Sequence, residues 1–220
     1  MSEVFIAGGT GYIGRVLIGR LCARNLPVKA VVRPQSIANV PPDCQPIPAD
    51  VLDAATYQDS ISPGSTFVHL VGVPHPAPWK HRAFRSIDLV SLEQSVRAAR
   101  HARVSHFIYM SVAHPAPVMK AYIQVRMECE RIIRDSTLPA TILRPWYVLG
   151  PGHRWPIILI PAYKLLESMP TTRATAIRLG LVTREQIVAA LESAIVQGPS
   201  GLRILETGAI RQSSTSAASL

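Results

Sequence analysis

What is scarce bounds this chain before any motif is read. Of its 220 residues three are cysteine, Cys22, Cys44 and Cys129, widely spaced and with no CxxC pair. That usage argues against a disulfide framework or a zinc site and fits a reducing, cytoplasmic compartment. Long apolar runs are missing as well. The most apolar segment, WPIILIPAYKLL over Trp155–Leu166, is interrupted by Pro156, Pro161 and Lys164 and is too short to cross a bilayer. The N-terminus enters a strand-like segment without a basic region and an apolar one, so no signal peptide is expected. The 7 histidines form neither HExxH nor a His-x₃-His pair, so no metal site is expected. His75, His114 and His153 sit beside prolines in loops. Acidic residues are few: 14 Asp and Glu against 23 Lys and Arg give a formal charge of +9. Arginine far outnumbers lysine and is spread from Arg15 to Arg211, dense only around Arg97, Arg100, His101 and Arg103. Such a spread points to an exposed helix face and a small anionic ligand rather than to nucleic acid.

What is present alternates. VFIA over Val4–Ala7 reads as a buried strand, and Val16, Leu17, Leu21 and Cys22 then recur at helical spacing up to Asn25 and Pro27. VKAVVR over Val28–Arg33 is a second strand stopped by Pro34, completing a βαβ unit. Pro46–Ala49 carries prolines and belongs at a sheet edge if it pairs. Asp53 caps a short helix to Ser60, Ser65–Val71 is a strand, and a long helix spans Lys80–Arg103. The apolar side of that helix reads as Ile87, Val90, Leu92, Val96 and Ala99. Ser105–Ser111 (strand), Val118–Asp135 (helix) and Ala140–Leu143 (strand) follow. Beyond Gly150 the pattern gives a loop, a helix over Ile157–Ser168 and a strand over Ala176–Val182. Thr183 then caps a helix, and Gly201–Glu206 forms a last strand. The fold class is therefore α/β: a Rossmann-type, doubly wound parallel sheet with helices on both faces. Residues 1–152 form the core and 153–206 a small substrate-side extension completing the cleft. Residues 207–220, small and polar, are expected to be disordered.

The glycines have a specific place in this order. Gly8, Gly11 and Gly14 stand in a GxxGxxG spacing between the first strand and the first helix. One glycine permits the tight turn, the next lets backbone approach a pyrophosphate, and the last lets helix and sheet pack closely. Helix-terminal amides then attract the phosphates, which makes Gly8, Thr10, Gly11, Tyr12, Ile13 and Gly14 candidate cofactor contacts. At the end of the second strand stands Arg33, where an acidic residue would hold the ribose hydroxyls of NAD. An arginine there suits the 2′-phosphate, so NADP is expected in preference to NAD.

These residues, with Ala49-Asp50-Val51-Leu52-Asp53, His69-Leu70-Val71-Gly72, FIYMS ending at Ser111 and LRPWYVLGPG over Leu143–Gly152, resemble the atypical short-chain dehydrogenase/reductases. The resemblance is to their NAD(P)-binding, NmrA-like and complex-I-subunit-like members, over residues 3 to 152. It implies that Asp50 and Val51 contact adenine, that Val71 and Gly72 line the adenine ribose, and that Pro145, Tyr147 and Val148 lie beside the nicotinamide. Asp50 can equally be a turn or capping residue. The family places Ser or Thr after the fifth strand and Tyr-x-x-x-Lys on the next helix. Here Ser111 is followed by Tyr122 and, in the lysine position, Arg126.

Two readings of that set stand. In one, Tyr122 exchanges the proton, Ser111 orients the carbonyl and Arg126 tunes the phenol and holds the ribose. In the other, Tyr122 is a half-buried aromatic and Arg126 a surface cation near Glu130. His114 either approaches the site or is a solvated loop histidine. Trp146, Tyr147 and Trp155 wall a substrate pocket or are core. The expected function is NADP(H)-dependent hydride transfer to or from a carbonyl or alcohol of a small or apolar substrate. The alternative is a non-catalytic NADP(H)-binding redox sensor or accessory protein. By analogy with related enzymes a homodimer or a monomer is expected.

Overall fold

A computed structural model describes residues 2–116, 118–149 and 178–216. The strands are β1 (Val4–Ala7), β2 (Val28–Val32), β3 (Gln45–Pro48), β4 (Thr66–His69), β5 (His106–Met110), β6 (Ala140–Arg144), β7 (Tyr147–Leu149), β8 (Leu181–Thr183) and β9 (Leu202–Glu206). Seven of them make one sheet in the order β3-β2-β1-β4-β5-β6-β9, with every pairing parallel. The order reverses between β1 and β4, so the crevice for a ligand opens beyond their carboxyl ends. β7 and β8 pair in a separate parallel ribbon.

The strands expected for β1, β2, β4, β5, β6 and β9 recur with their ends shifted by a few residues. Of the strand expected over Ala176–Val182 only Leu181 and Val182 are extended, in β8, and residues 176 and 177 lie outside the described residues. All four residues of β1 are shut off from solvent, as a strand covered on both faces requires. β3 takes the sheet edge, with Pro46 and Pro48 opposite Ala30 and Val32 of β2. β7 was not foreseen, because three residues after a proline carry too little periodicity.

Helices cover both faces. α1 (Gly14–Ala23), α4 (Arg184–Gln197) and Ile210 of α5 (Thr207–Ser216) pack on one face around Ile6, Val68 and Ile108. α2 (Val90–His101) and α3 (Lys120–Asp135) cover the other, above a row of Phe5, Phe67 and Phe107 in register across β1, β4 and β5. Ring centroids in that row are 5.4 and 5.3 Å apart. Thr183 caps α4 as expected and forms a full capping box with Gln186. Arg97, Arg100, His101 and Arg103 are exposed on and just beyond α2.

Two expectations need correction. The segment expected to be disordered beyond residue 206 carries helix α5, tied to the body by Ile210 and by a Thr207 hydroxyl donating to the Arg144 carbonyl. The long helix expected over Lys80–Arg103 is also not uniform. A π-helical turn over Phe84–Leu89 precedes α2, and its wider winding rotates the register. Ile87 consequently faces outward, 36% exposed, and the carboxylate of Asp88 is buried instead. The helix expected over Ile157–Ser168, Trp155 and His153 lie outside the described residues.

Candidate functional site: a glycine turn and two buried charge clusters

The β1–α1 turn is built to bring backbone close to whatever it faces. Gly8 holds φ of +90°, and a Cβ on it would stand 2.9 Å from the carbonyl carbon of Leu70 and 3.0 Å from the Val71 nitrogen. A Cβ on Gly14 would strike the Gly8 oxygen and stand 2.8 Å from the Gly9 Cα. The Gly11 amide closes the turn onto the Gly8 carbonyl at 3.1 Å. No side chain caps α1, and among the described residues the Ile13 and Gly14 amides have no backbone acceptor. Unsatisfied helix-terminal donors in a cradle that a Cβ would fill are the features a dinucleotide pyrophosphate requires, so the residues fit that group. Tyr12 of this turn lies under the Arg184 guanidinium, 5.0 Å from its ring centroid.

The other cofactor candidates lie along the same edge. Arg33 ends β2, is exposed, and its carbonyl accepts from the Ser36 amide at 2.8 Å. Its guanidinium makes no hydrogen bond or ion pair among the described residues. Asp50 turns its carboxylate onto the Leu52 amide at 2.9 Å, the turn role weighed for it, with partly buried Val51 beside it. Val71 and Gly72 follow β4, partly buried. Gly72 has a second reason to be glycine: a Cβ there would strike Arg126 and lie 3.2 Å from Asp88. Pro145 is buried after β6 and accepts from the Ala113 amide at 2.9 Å, and partly buried Tyr147 and Val148 form β7.

Arg126 is neither a surface cation nor a free partner for Tyr122. Its side chain is 6% exposed and ion-paired to Asp88, which is fully buried and accepts also from the Val73 amide at 3.0 Å. Its Nη1 donates to the Tyr109 hydroxyl at 3.0 Å and to the Met110 carbonyl at 3.1 Å. The guanidinium lies over the ring of half-buried Tyr122, 5.0 Å from its centroid, and Phe84 packs on that ring at the same distance. Burial pushes the Tyr122 phenol above its usual range, more than the Arg126 charge lowers it. Asp88 could not be found from sequence, because its burial depends on the π-helical turn.

A second cluster centres on Glu130, which is 1% exposed. Ser111 donates its hydroxyl proton to Glu130 Oε1 at 2.7 Å, and no hydrogen bond joins Ser111 to Tyr122. Arg144 grips both carboxylate oxygens, with Nε 2.9 Å from Oε1, and its Nη1 reaches Glu206 at 2.8 Å. Arg134 adds a contact at 3.1 Å. His114 is not a solvated loop residue: its ring, 14% exposed, sets Nε2 3.3 Å from Glu130 Oε1. Burial would raise the Glu130 carboxyl, but Arg144, Ser111 and His114 together hold it below its usual value. Ser111, Tyr122 and Arg126 thus stand on one side of the sheet but join two separate networks. α3 supplies the centre of both: Arg126 meets Asp88 of the π-helical turn, and Glu130 one turn later meets Ser111 after β5 and Arg144 of β6. Among the described residues no group of His, Cys, Asp and Glu could hold a metal ion, and no helix is long and apolar enough to cross a membrane.

A family model described as NAD(P)H-binding matches residues 8–192. The chain is 23% identical over 170 residues to the 4-hydroxy-2-methyl-3-oxo-4-farnesyl-3,4-dihydroquinoline-1-oxide ketoreductase of Stigmatella aurantiaca, covering 67% of this chain and 51% of that one. It is 29% identical over 176 residues to the 3-diazoavenalumate denitrifying reductase of a Streptomyces species, covering 68% and 57%. The chain therefore spans little more than half the length of these relatives. Among solved structures it is similar to the Bordetella bronchiseptica enzyme WbmH in complex with NAD+, with a TM-score of 0.70 and 19% identity over 94% of this chain and 76% of that one. A short-chain dehydrogenase/reductase superfamily protein from Agrobacterium tumefaciens with bound NAD gives 0.67 and 15%, over 93% and 77%. The chain belongs to the NAD(P)H-binding family and has a Rossmann-type α/β fold.

Proposed function

We propose that this member of the NAD(P)H-binding family is an NADP(H)-dependent reductase that moves a hydride to or from a carbonyl or alcohol carbon. The dinucleotide supplies the hydride when bound. Gly8, Thr10, Gly11, Tyr12, Ile13 and Gly14 would hold its pyrophosphate and Arg33 its 2′-phosphate. Asp50 and Val51 would face the adenine, Val71 and Gly72 its ribose, and Pro145, Tyr147 and Val148 the nicotinamide. The observation that carries the NADP preference is Arg33, exposed at the carboxyl end of β2 and unpaired among the described residues. No acidic residue stands there to hold a 2′-hydroxyl. The ketoreductase and reductase among the relatives support the reaction class. The apolar sequence over 155–166 favours a small or lipid-like substrate.

Titration of the protein with NADPH and NADH, followed by ligand fluorescence, tests the cofactor. NADPH binding at least tenfold tighter is expected, and equal affinities would remove the role given to Arg33. An NADPH-oxidation screen over ketones, aldehydes and quinones tests the reaction. One observation favours a second reading, a non-catalytic NADP(H)-binding redox sensor: Arg126 is spent on Asp88 rather than presented to a ribose. Tight NADPH binding with no turnover across the screen would select it.

A further inference from the structure

The side chains beyond β5 differ in what they can do with a proton. Ser111 directs its hydroxyl hydrogen at Glu130 and cannot also give it to a substrate oxygen. The Tyr122 phenol, pushed up by burial, is a poor acid near neutrality. His114 is placed differently. The backbone stays paired past β5, with Ala113 donating to the Pro145 carbonyl at 2.9 Å, so His114 stands at the end of this ladder. Its Nε2 faces Glu130, whereas Nδ1 makes no hydrogen bond among the described residues. In doubly wound sheets the first βαβ half holds the adenosine and the half containing β4, β5 and β6 holds the nicotinamide end. His114 therefore lies at the carboxyl edge of the half where hydride moves.

We propose that His114 donates the proton in the reduction, from Nδ1, with its ring fixed through Nε2 by Glu130. This rests on the reductase reading above. The carbonyl carbon gains hydride, with its electron pair, from the dihydronicotinamide of NADPH, which is oxidised to NADP+. The π bond of the carbonyl breaks toward oxygen, and that oxygen takes the proton from Nδ1. The neutral imidazole then takes up one proton from bulk solvent, so each reduction consumes one NADPH and one H+. The charged group in contact with the ring is Glu130, which is itself paired with Arg134 of α3 and Arg144 of β6, with Glu206 of β9 behind Arg144. Of these groups it is the buried carboxylate, not a guanidinium, that faces Nε2 and orients the ring.

The test uses His114→Gln, which keeps a hydrogen-bonding side chain toward Glu130, beside Tyr122→Phe, in single-turnover reduction of a carbonyl substrate found by the screen. His114→Gln is expected to slow hydride transfer by about 10²- to 10⁴-fold and to flatten the pH profile. Its NADPH Kd should stay within about twofold of wild type, a change too small to alter occupancy at saturation. A second readout needs no turnover. In ¹⁵N-histidine spectra, the His114 ring signals should move with NADP+ but not with adenosine 2′,5′-bisphosphate, which lacks the nicotinamide. A His114→Gln rate within twofold of wild type overturns the proposal and leaves the reductase reading standing. So does a His114 signal blind to NADP+. Wild-type protein that binds NADPH and reduces nothing overturns both.

Discussion

The carboxyl ends of β1 and β2 carry glycines, amides with no backbone acceptor among the described residues and an exposed arginine, whereas the helical layer over β4, β5 and β6 carries charge shut inside the protein. In the first half Gly8 and Gly14 leave no room for a side chain, and Arg33 has no partner among the described residues. In the second half Asp88 and Arg126, then Glu130, Arg144 and Glu206, are consumed by one another. The first arrangement leaves its binding energy available to a ligand. The second spends its charges on the packing of α3 against β5 and β6, which is why it governs stability more than affinity. Breaking it should therefore produce the largest stability changes in the molecule. Asp88→Ala would strand the Arg126 guanidinium, at a cost of about 3–5 kcal/mol, read from the urea midpoint. Asp88→Leu with Arg126→Met, which removes both charges and keeps the volume, should recover most of that loss. If Asp88→Ala alone costs under about 1 kcal/mol, Arg126 reaches water and the pair is not the buried unit described.

The converse substitution breaks the first half. Gly8→Ala places a methyl group against Leu70 at a φ of +90°. Relief requires the turn to move off β4, so its amides lose their aim at the pyrophosphate. NADPH affinity should fall by about tenfold to a hundredfold, that is about 1.4–2.7 kcal/mol, by fluorescence titration. Affinity equal to wild type would mean that the turn is not the phosphate cradle.

Acid sharpens the same contrast, because the buried histidines belong to the second half. His69 on β4, bonded to Ser95 at 2.9 Å, is lowered by burial and by Arg126 to about 3. His106 on β5, 2.9 Å from Thr141, is lowered by burial and by Arg203 to about 4. Folded values below the unfolded 6.5 mean that these histidines stabilise the protein above that pH. Their contribution is lost as pH falls through 6.5 toward 4 and 3. Glu130, also lowered, has the same sign, and its contribution is lost only below 4.5. Urea midpoints should decline between pH 7 and 5, and a His69→Asn, His106→Asn variant should decline less. An equal slope in that variant would place the proton uptake elsewhere.

The contrast also explains what could be read from sequence. The glycine turn and Arg33 are local: a strand, a spacing and a helix start lie within one βαβ unit, and the role proposed for each rests on backbone or on its own exposed charge. The same holds for the cap at Thr183 and for the edge position of β3, where proline removes a donor. The second half is assembled from residues far apart in the chain, and no spacing reports that. Asp88 and Arg126 meet only because a π-helical turn rotates Ile87 out and Asp88 in. Ser111 stood in the expected place, but Glu130 and Arg144 decide where its proton points. His114 read as a loop residue because the carboxylate that holds it is 16 residues away.

The smallest effect expected is at Arg33, and it isolates binding from stability most cleanly. The side chain is exposed and has no partner among the described residues, while its backbone carbonyl closes the following turn by accepting from the Ser36 amide. Arg33→Ala keeps that carbonyl, so thermal midpoints of the free protein should not move. With NADPH the lost guanidinium–phosphate contact should weaken binding by about tenfold, the size of one charge-assisted contact. NADH lacks the 2′-phosphate, and its affinity should be unchanged. Arg33→Asp should go further, repelling the phosphate while supplying the carboxylate that suits ribose hydroxyls, so that NADH becomes the tighter ligand. A parallel loss of NADPH and NADH would show instead that Arg33 shapes the adenine side of the cleft and does not read the phosphate.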